Sequence, residues 1–211
     1  MEGHLISAKI ARGDYMKRII GITGGIASGK SNVCNVLSNM GYPVINCDEI
    51  SKKLSIKGEA LYNVIKEHFG DEYLLDDGEL NKKKIAQLIF NDSASKILLD
   101  SITHPIIIEE VKRQIYEHSD DIIFVEAPLL YEAHMETMFD KIICVFLSKK
   151  FQVERLMERD KIDEDYALAK IHSQMDLYLK KSLADYVIDS KGTFDETKNQ
   201  VEKIIKEIKE V

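Results

Sequence analysis

Apolar residues along this chain fall into short unbroken runs and into stripes spaced three and four apart, an alternation that predicts buried strands followed by amphipathic helices. The first run is Ile19-Ile20-Gly21-Ile22. A helical stripe follows at Val33, Val36, Leu37 and Met40, with Gly41 placed where a helix end favours a left-handed residue. Pro43-Val44-Ile45-Asn46-Cys47 reads as a second strand, Ile122-Ile123-Phe124-Val125-Glu126 as a third, 142–147 as a fourth and Tyr186-Val187-Ile188-Asp189 as a fifth. Val201, Ile204, Ile205 and Ile208 form the stripe of a closing helix and are expected in the core.

Two stretches interrupt this rhythm. Between the second and third strands, the stripes Leu61, Val64, Ile65 and Phe69, then Ile85, Leu88 and Ile89, then Ile97, Leu98 and Ile102 succeed one another with no strand between them. An acidic loop at 70–78 separates the first two, and His104-Pro105 is expected to open a last long helix, since proline suits a first turn. A block of this length exceeds a plain crossover and reads as an inserted sub-domain able to hold an acceptor. Between the fourth and fifth strands, Ser148 is expected to cap a helix carrying Gln152, Arg155 and Arg159 on one face. A second helix over 164–179, with Leu168, Ile171, Met175 and Leu179 as its stripe, would complete a two-helix lid that excludes water from a reacting phosphate.

Composition narrows the possibilities. With 211 residues, 45% hydrophobic and 31% charged, the chain can bury one large core. A net charge of -7 argues against a nucleic-acid binder, so any anionic substrate must be held by locally placed cations. Cys34, Cys47 and Cys144 are too few and too scattered for a disulfide framework or a metal site, which points to reduced thiols and a cytosolic setting. Apolar runs such as 142–147 are too short to span a bilayer. Residues 1–15 lack the apolar segment of a signal peptide, and Met16 directly precedes the first strand. Met16 is therefore read as a natural start, with 1–15 an expression remnant or a loose extension.

The chemistry concentrates after the first strand, where Gly24-Gly25-Ile26-Ala27-Ser28-Gly29-Lys30-Ser31 forms a phosphate loop between a strand and a helix. Glycines let the backbone turn tightly so that successive N–H groups face phosphate oxygens, and the helix N-terminus adds partial positive charge. Lys30 would reach the β- and γ-phosphates, and the Ser31 hydroxyl would hold a bridging Mg²⁺. The chain is thus expected to bind a nucleoside triphosphate. In an open parallel sheet ligands gather beyond the carboxyl ends of strands, so Asp48, after the second strand, is either the base that accepts the proton of an attacking hydroxyl or merely the cap of the helix beginning Glu49-Ile50-Ser51, and both roles can coexist. Glu126, at the end of the third strand, either holds water on Mg²⁺ or pairs with a lysine. His104 is either a capping or packing residue or part of the acceptor site. Two of the chain's five arginines, Arg155 and Arg159, share one helical stripe. They suit two-pronged phosphate binding, or they pair with Glu154, Glu158 and Asp160 on the surface.

Taken in order, the phosphate loop from Thr23, Val44-Ile45-Asn46-Cys47-Asp48, His104-Pro105, Pro128-Leu129-Leu130-Tyr131-Glu132, Gln152 with Arg155 and Arg159, Gln174, and Ala184-Asp185-Tyr186-Val187-Ile188-Asp189 resemble the dephospho-coenzyme A kinases. The resemblance implies ATP-dependent phosphorylation of the ribose 3′-hydroxyl of dephospho-CoA, the last step of coenzyme A biosynthesis. It also implies an α/β fold of the P-loop NTPase type, three-layered around a five-stranded parallel sheet. The nucleotide-binding core would comprise 16–48, 121–149 and 183–211, the coenzyme A sub-domain 49–120 and the lid 150–182. Carried over, Gly24 and Ala27, Ser28, Gly29, Lys30, Ser31 and Asn32 would wrap the ATP phosphates. Lys30, Asp48, Arg155 and Arg159 would be catalytic, Asp48, His104 and Leu129 would meet the acceptor, and Ser31 and Glu126 would serve Mg²⁺. The expected partners are ATP and dephospho-CoA, with no nucleic acid and no membrane, acting on a cytoplasmic monomer or weak homo-oligomer. Three positions depart from the family pattern: Asn46 replaces the first Asp of Asp-x-Asp, Asn32 replaces a common Thr, and Ser190 replaces a common Asn.

Two other readings stand beside this one. A nucleoside monophosphate kinase would share the loop and lid but not His104-Pro105 or Pro128-Leu129-Leu130. A nucleotide-switched GTPase would need Asn-Lys-x-Asp, and the nearest match, Asn81-Lys82-Lys83-Lys84, lacks the Asp.

Overall fold

The computed structural model describes residues 11–12 and 15–210. The expectation for residues 1–15 therefore falls mostly outside the described residues. Two short strands, β1 (Ala11–Arg12) and β2 (Tyr15–Met16), pair antiparallel immediately before the first core strand. The chain then divides into two compact units, one of residues 46–117 and one of the remainder.

The larger unit is built on a five-stranded sheet of β3 (Arg18–Gly24), β4 (Val44–Asn46), β5 (Ile122–Glu126), β6 (Lys141–Phe146) and β7 (Tyr186–Asp189), in the spatial order β4-β5-β3-β6-β7. The strand that feeds the phosphate loop is central. It pairs parallel with β5, Ile22 opposite Glu126, and with β6, Gly24 opposite Val145. Residues Gly21 to Val145 of these three strands are nearly all buried, as continuous apolar runs covered on both faces must be. Helix α1 (Lys30–Asn39) and the closing helix, packed side by side, seal one face. Val33, Val36 and Leu37 from α1 join Ile20, Ile22, Phe124, Ile143 and Ile188 in one cluster with Val201, Ile204, Ile205 and Ile208. Gly41, at φ +87°, ends α1 as its position predicts. The fifth strand starts on a tether: the Asp185 carboxylate accepts from the Ile142 N–H at 2.8 Å and pairs with Lys141 at 2.9 Å.

The smaller unit is helical: α2 (Cys47–Leu54), α3 (Ala60–Phe69), α4 (Lys82–Asn91) and α5 (Ser93–Glu117). Its own core gathers Leu61, Tyr62, Ile65, Leu80 and Ile85, with Leu99, Ile106 and Ile107 packed on them. Two local expectations are corrected here. His104-Pro105 does not open a helix but lies in the middle of the 25-residue α5. The helix continues through Pro105 although the ring removes the N–H that would have bonded the Ser101 carbonyl, because the apolar residues on both sides of it pack on the same core. The cap of α2 is Asn46, whose side chain accepts from the Glu49 N–H at 2.9 Å. Asp48 is an exposed first-turn residue instead.

The stretch between β6 and β7 belongs to the larger unit and holds α6 (Lys149–Asp160), α7 (Glu164–His172) and α8 (Leu177–Leu183), with α9 (Phe194–Glu210) following β7. The single helix expected over 164–179 is thus broken at residues 173–176. Asp176 starts a new helix there by accepting from the N–H groups of Tyr178 and Leu179, and the Met175 N–H turns aside to Glu132 at 2.9 Å. Ser148 occupies the cap position of α6, but its hydroxyl makes no capping bond.

Candidate functional site

The phosphate loop joins β3 to α1 as the spacing predicts. Gly29 stands at the helix cap position with φ +91°, which costs a glycine nothing and would strain any other residue. Ala27 also adopts a left-handed backbone, φ +58°, and is one of few non-glycine residues to do so here. A conformation of this kind persists only where the surroundings impose it, and Ile26 and Ala27 both pack on the Val153, Leu156 and Ala167 cluster of α6 and α7.

Lys30, the first residue of α1, curls over the loop, its ammonium donating to the carbonyls of Gly24 (3.1 Å) and Gly25 (2.9 Å). Four residues on, buried Cys34 donates its thiol to the Glu126 carboxylate. Burial, then the adjacent Glu126 charge, push that thiol far above its ordinary range, so Cys34 stays protonated and acts as a donor rather than a nucleophile. Glu126 is only 6% exposed, ending β5 beside the strand that carries the loop. Ser31 and Asn32 are exposed in the first turn of α1.

Arginine placement separates the two candidates. Arg155 donates to the Ser190 carbonyl at 2.8 Å and lies 3.5 Å from the point where a Gly29 side chain would begin. It is therefore at the loop. Arg159, one turn further along α6, grips Asp160 in a two-pronged pair at 2.7 and 3.3 Å, and Asp160 also holds Lys170 at 2.8 Å. Ser190 is itself part of the loop's support: its hydroxyl, buried, donates to the Ser28 carbonyl at 2.5 Å. A serine at this position keeps a direct bond to the loop.

The Pro128-Leu129-Leu130-Tyr131-Glu132 segment leaves the end of β5 and is fastened by a residue that periodicity did not single out. Lys180 of α8, fully buried, donates to the Pro128 carbonyl at 2.7 Å and pairs with Glu132 at 2.7 Å. The only available signal was a charged residue falling on the inward side of a short helix, which the stripe through Leu179 obscured. Leu129 is half-buried in this segment. In the other unit, Asp48 is exposed, and His104 lies mostly buried with its Nε2 3.7 Å from Asp100.

A family model described as dephospho-CoA kinase matches residues 18–196. The chain belongs to the dephospho-CoA kinase family. A dephospho-CoA kinase from Enterococcus faecalis is 41% identical over 194 residues, covering 91% of this chain and 98% of the relative. Among solved structures, TT1252 from Thermus thermophilus is 27% identical and superposes with a TM-score of 0.79 over 90% of this chain and 97% of its own. The dephospho-CoA kinase from Campylobacter jejuni is 28% identical, with a TM-score of 0.66 over 92% of this chain and 98% of its own. Membership spans the sheet, the phosphate loop and the α6–α8 stretch, so the ordered motifs and the fold agree.

Proposed function

We propose that this chain transfers the γ-phosphoryl group of ATP to the ribose 3′-hydroxyl of dephospho-CoA, giving coenzyme A and ADP. Membership of the dephospho-CoA kinase family over residues 18–196 carries the reading. The 3′-oxygen bonds to the γ-phosphorus, the bond from that phosphorus to the β,γ-bridging oxygen breaks, and the hydroxyl proton passes to the Asp48 carboxylate. Lys30 exchanges the Gly24 and Gly25 carbonyls for phosphate oxygens, while residues 27–32 wrap the phosphates. Arg155 lies beside Gly29 and neutralises charge on the transferring group. Arg159 joins it by exchanging Asp160 for phosphate, and His104 and Leu129 belong to the acceptor's contacts.

A bound Mg²⁺ would neutralise charge on the β- and γ-phosphates. The residues fit it: the Ser31 hydroxyl and the buried Glu126 carboxylate are hard oxygen donors, directly or through water. Among the described residues no cluster of three or more His, Cys, Asp or Glu is arranged to hold a metal. Three buried free thiols support a reducing, cytoplasmic setting, and no helix among the described residues is long and apolar enough to cross a membrane.

The test is ADP release from Mg²⁺-ATP with dephospho-CoA, AMP, CMP or no acceptor. Release with dephospho-CoA alone is expected. Release with a nucleoside monophosphate, or without any acceptor, would overturn the acceptor assignment while leaving the nucleotide site in place.

A further inference from the structure

Ile26, in the first half of the phosphate loop, is held at both of its backbone polar groups. Its N–H donates to Gln174 Oε1 at 3.0 Å, and its carbonyl accepts from Gln152 Nε2 at 2.7 Å. Gln152 comes from α6 and is 2% exposed, whereas Gln174 comes from the break between α7 and α8. The Gln152 amide also lies against Gly25 so closely that a side-chain carbon on Gly25 would stand 2.3 Å from Nε2 and 3.1 Å from Leu177. No residue with a Cβ fits at 25 unless Gln152 leaves. Beyond this pair, the Ile26 side chain is seated on the apolar cluster of α6 and α7.

The arrangement sorts the loop's amides. The Ile26 N–H is spent on Gln174 and the Ser28 N–H turns back to the Gly25 carbonyl at 3.2 Å, so Ala27 carries the first loop amide after Gly25 that neither bond takes up. Ala27 in turn is the residue forced into a left-handed backbone. Holding residue 26 by both ends, with its side chain packed, supplies the constraint that keeps Ala27 there and fixes the path of the loop that follows.

We infer that Gln152 and Gln174 are positioning residues that shape the phosphate loop, so that ATP affinity is set in part by the α6–α8 stretch. Neither side chain needs to touch ATP; both act through Ile26. The inference rests on reading the loop as the ATP site, and it is tested by ATP binding alone, which requires no acceptor and so does not depend on the acceptor's identity. Wild-type ATP binding, and its loss in Lys30→Met, test the ATP-site reading separately.

The variants are Gln152→Met, Gln174→Met and the double variant, since methionine keeps the length and removes the hydrogen-bonding groups. Each single change is expected to weaken ATP binding about tenfold by calorimetry, because a backbone group of the loop loses its partner. The double variant should lose little more than the worse single one, because both contacts fix one residue. The KM for dephospho-CoA should stay within about twofold, and the Ile26 amide should lose hydrogen-exchange protection in Gln174→Met. Gln152 is deeply buried, so Gln174→Met carries the test if the Gln152 variant does not fold. ATP affinity in Gln174→Met within about twofold of wild type would overturn the inference. So would single effects that multiply to about a hundredfold in the double variant, or equal losses for both substrates.

Discussion

Replacing Lys180 with methionine should destabilise the protein sharply, because its ammonium is fully buried and bound to two acceptors, Glu132 and the Pro128 carbonyl, each at 2.7 Å. The deletion leaves a largely buried carboxylate behind. Removing one partner of a buried pair costs about 3–5 kcal/mol. Two features place this case at the low end: the Glu132 side chain is 19% exposed, and its Oε1 also accepts from the Met175 N–H at 2.9 Å. About 3 kcal/mol is therefore expected. An unfolding entropy of about 2.1 cal/mol/K per residue over 211 residues is about 0.44 kcal/mol/K, so the melting temperature should fall by about 7 °C. Calorimetric melts of the wild type, Lys180→Met and Lys180→Met/Glu132→Leu make the assay. The double variant should recover much of the loss, because no charge is then stranded. A Lys180→Met melt within about 1 °C of wild type would refute the reasoning.

Arg155→Ala should lower kcat by at least about a hundredfold, because Arg155 sits beside Gly29, whereas Arg159→Ala should cost less than about tenfold. Arg159 gains phosphate only by giving up Asp160, so equal losses in steady-state kinetics would contradict that order. Asp48→Asn should lower kcat about 10²–10⁴-fold while ATP affinity changes by less than about threefold, and a wild-type rate would remove its role as base. The Tyr131 hydroxyl is buried without a hydrogen-bond partner among the described residues, and burial pushes its pKa up to about 12 from 10.0. Folding therefore favours the neutral phenol, a contribution present below pH ~10 and lost as pH rises from ~10 to ~12. Tyr131→Phe should match or exceed wild-type stability at pH 8 and gain on it above pH 10 in denaturant titrations; a loss beyond about 1 kcal/mol at pH 8 would count against this.

Much of this protein can be read from short local signals. The three central strands, β5, β3 and β6, are continuous apolar runs buried on both faces, and the phosphate loop is a fixed pattern whose glycines answer to backbone geometry. The closing stripe of Val201, Ile204, Ile205 and Ile208 is buried as its period predicts. Less legible were features decided by tertiary partners. The stripe of 164–179 looks continuous because Met175 keeps the spacing, yet the chain breaks there to give Gln174 to Ile26 and the Met175 N–H to Glu132. Pro105 reads as a helix start by its own chemistry, and only packing on both sides keeps α5 running through it. Lys180 reads as surface charge, and its role emerges from two acceptors some fifty residues away in the chain. Asn46 stands out as a departure from the family pattern, and its side chain caps α2.

The most direct test of the central claim is the identity of the product. After turnover of dephospho-CoA with Mg²⁺-ATP, phosphorus NMR of the purified product should show one new phosphomonoester on the ribose 3′-oxygen, with one ADP formed per ester. A phosphate at any other position, or ADP formed without a new ester, would contradict the account.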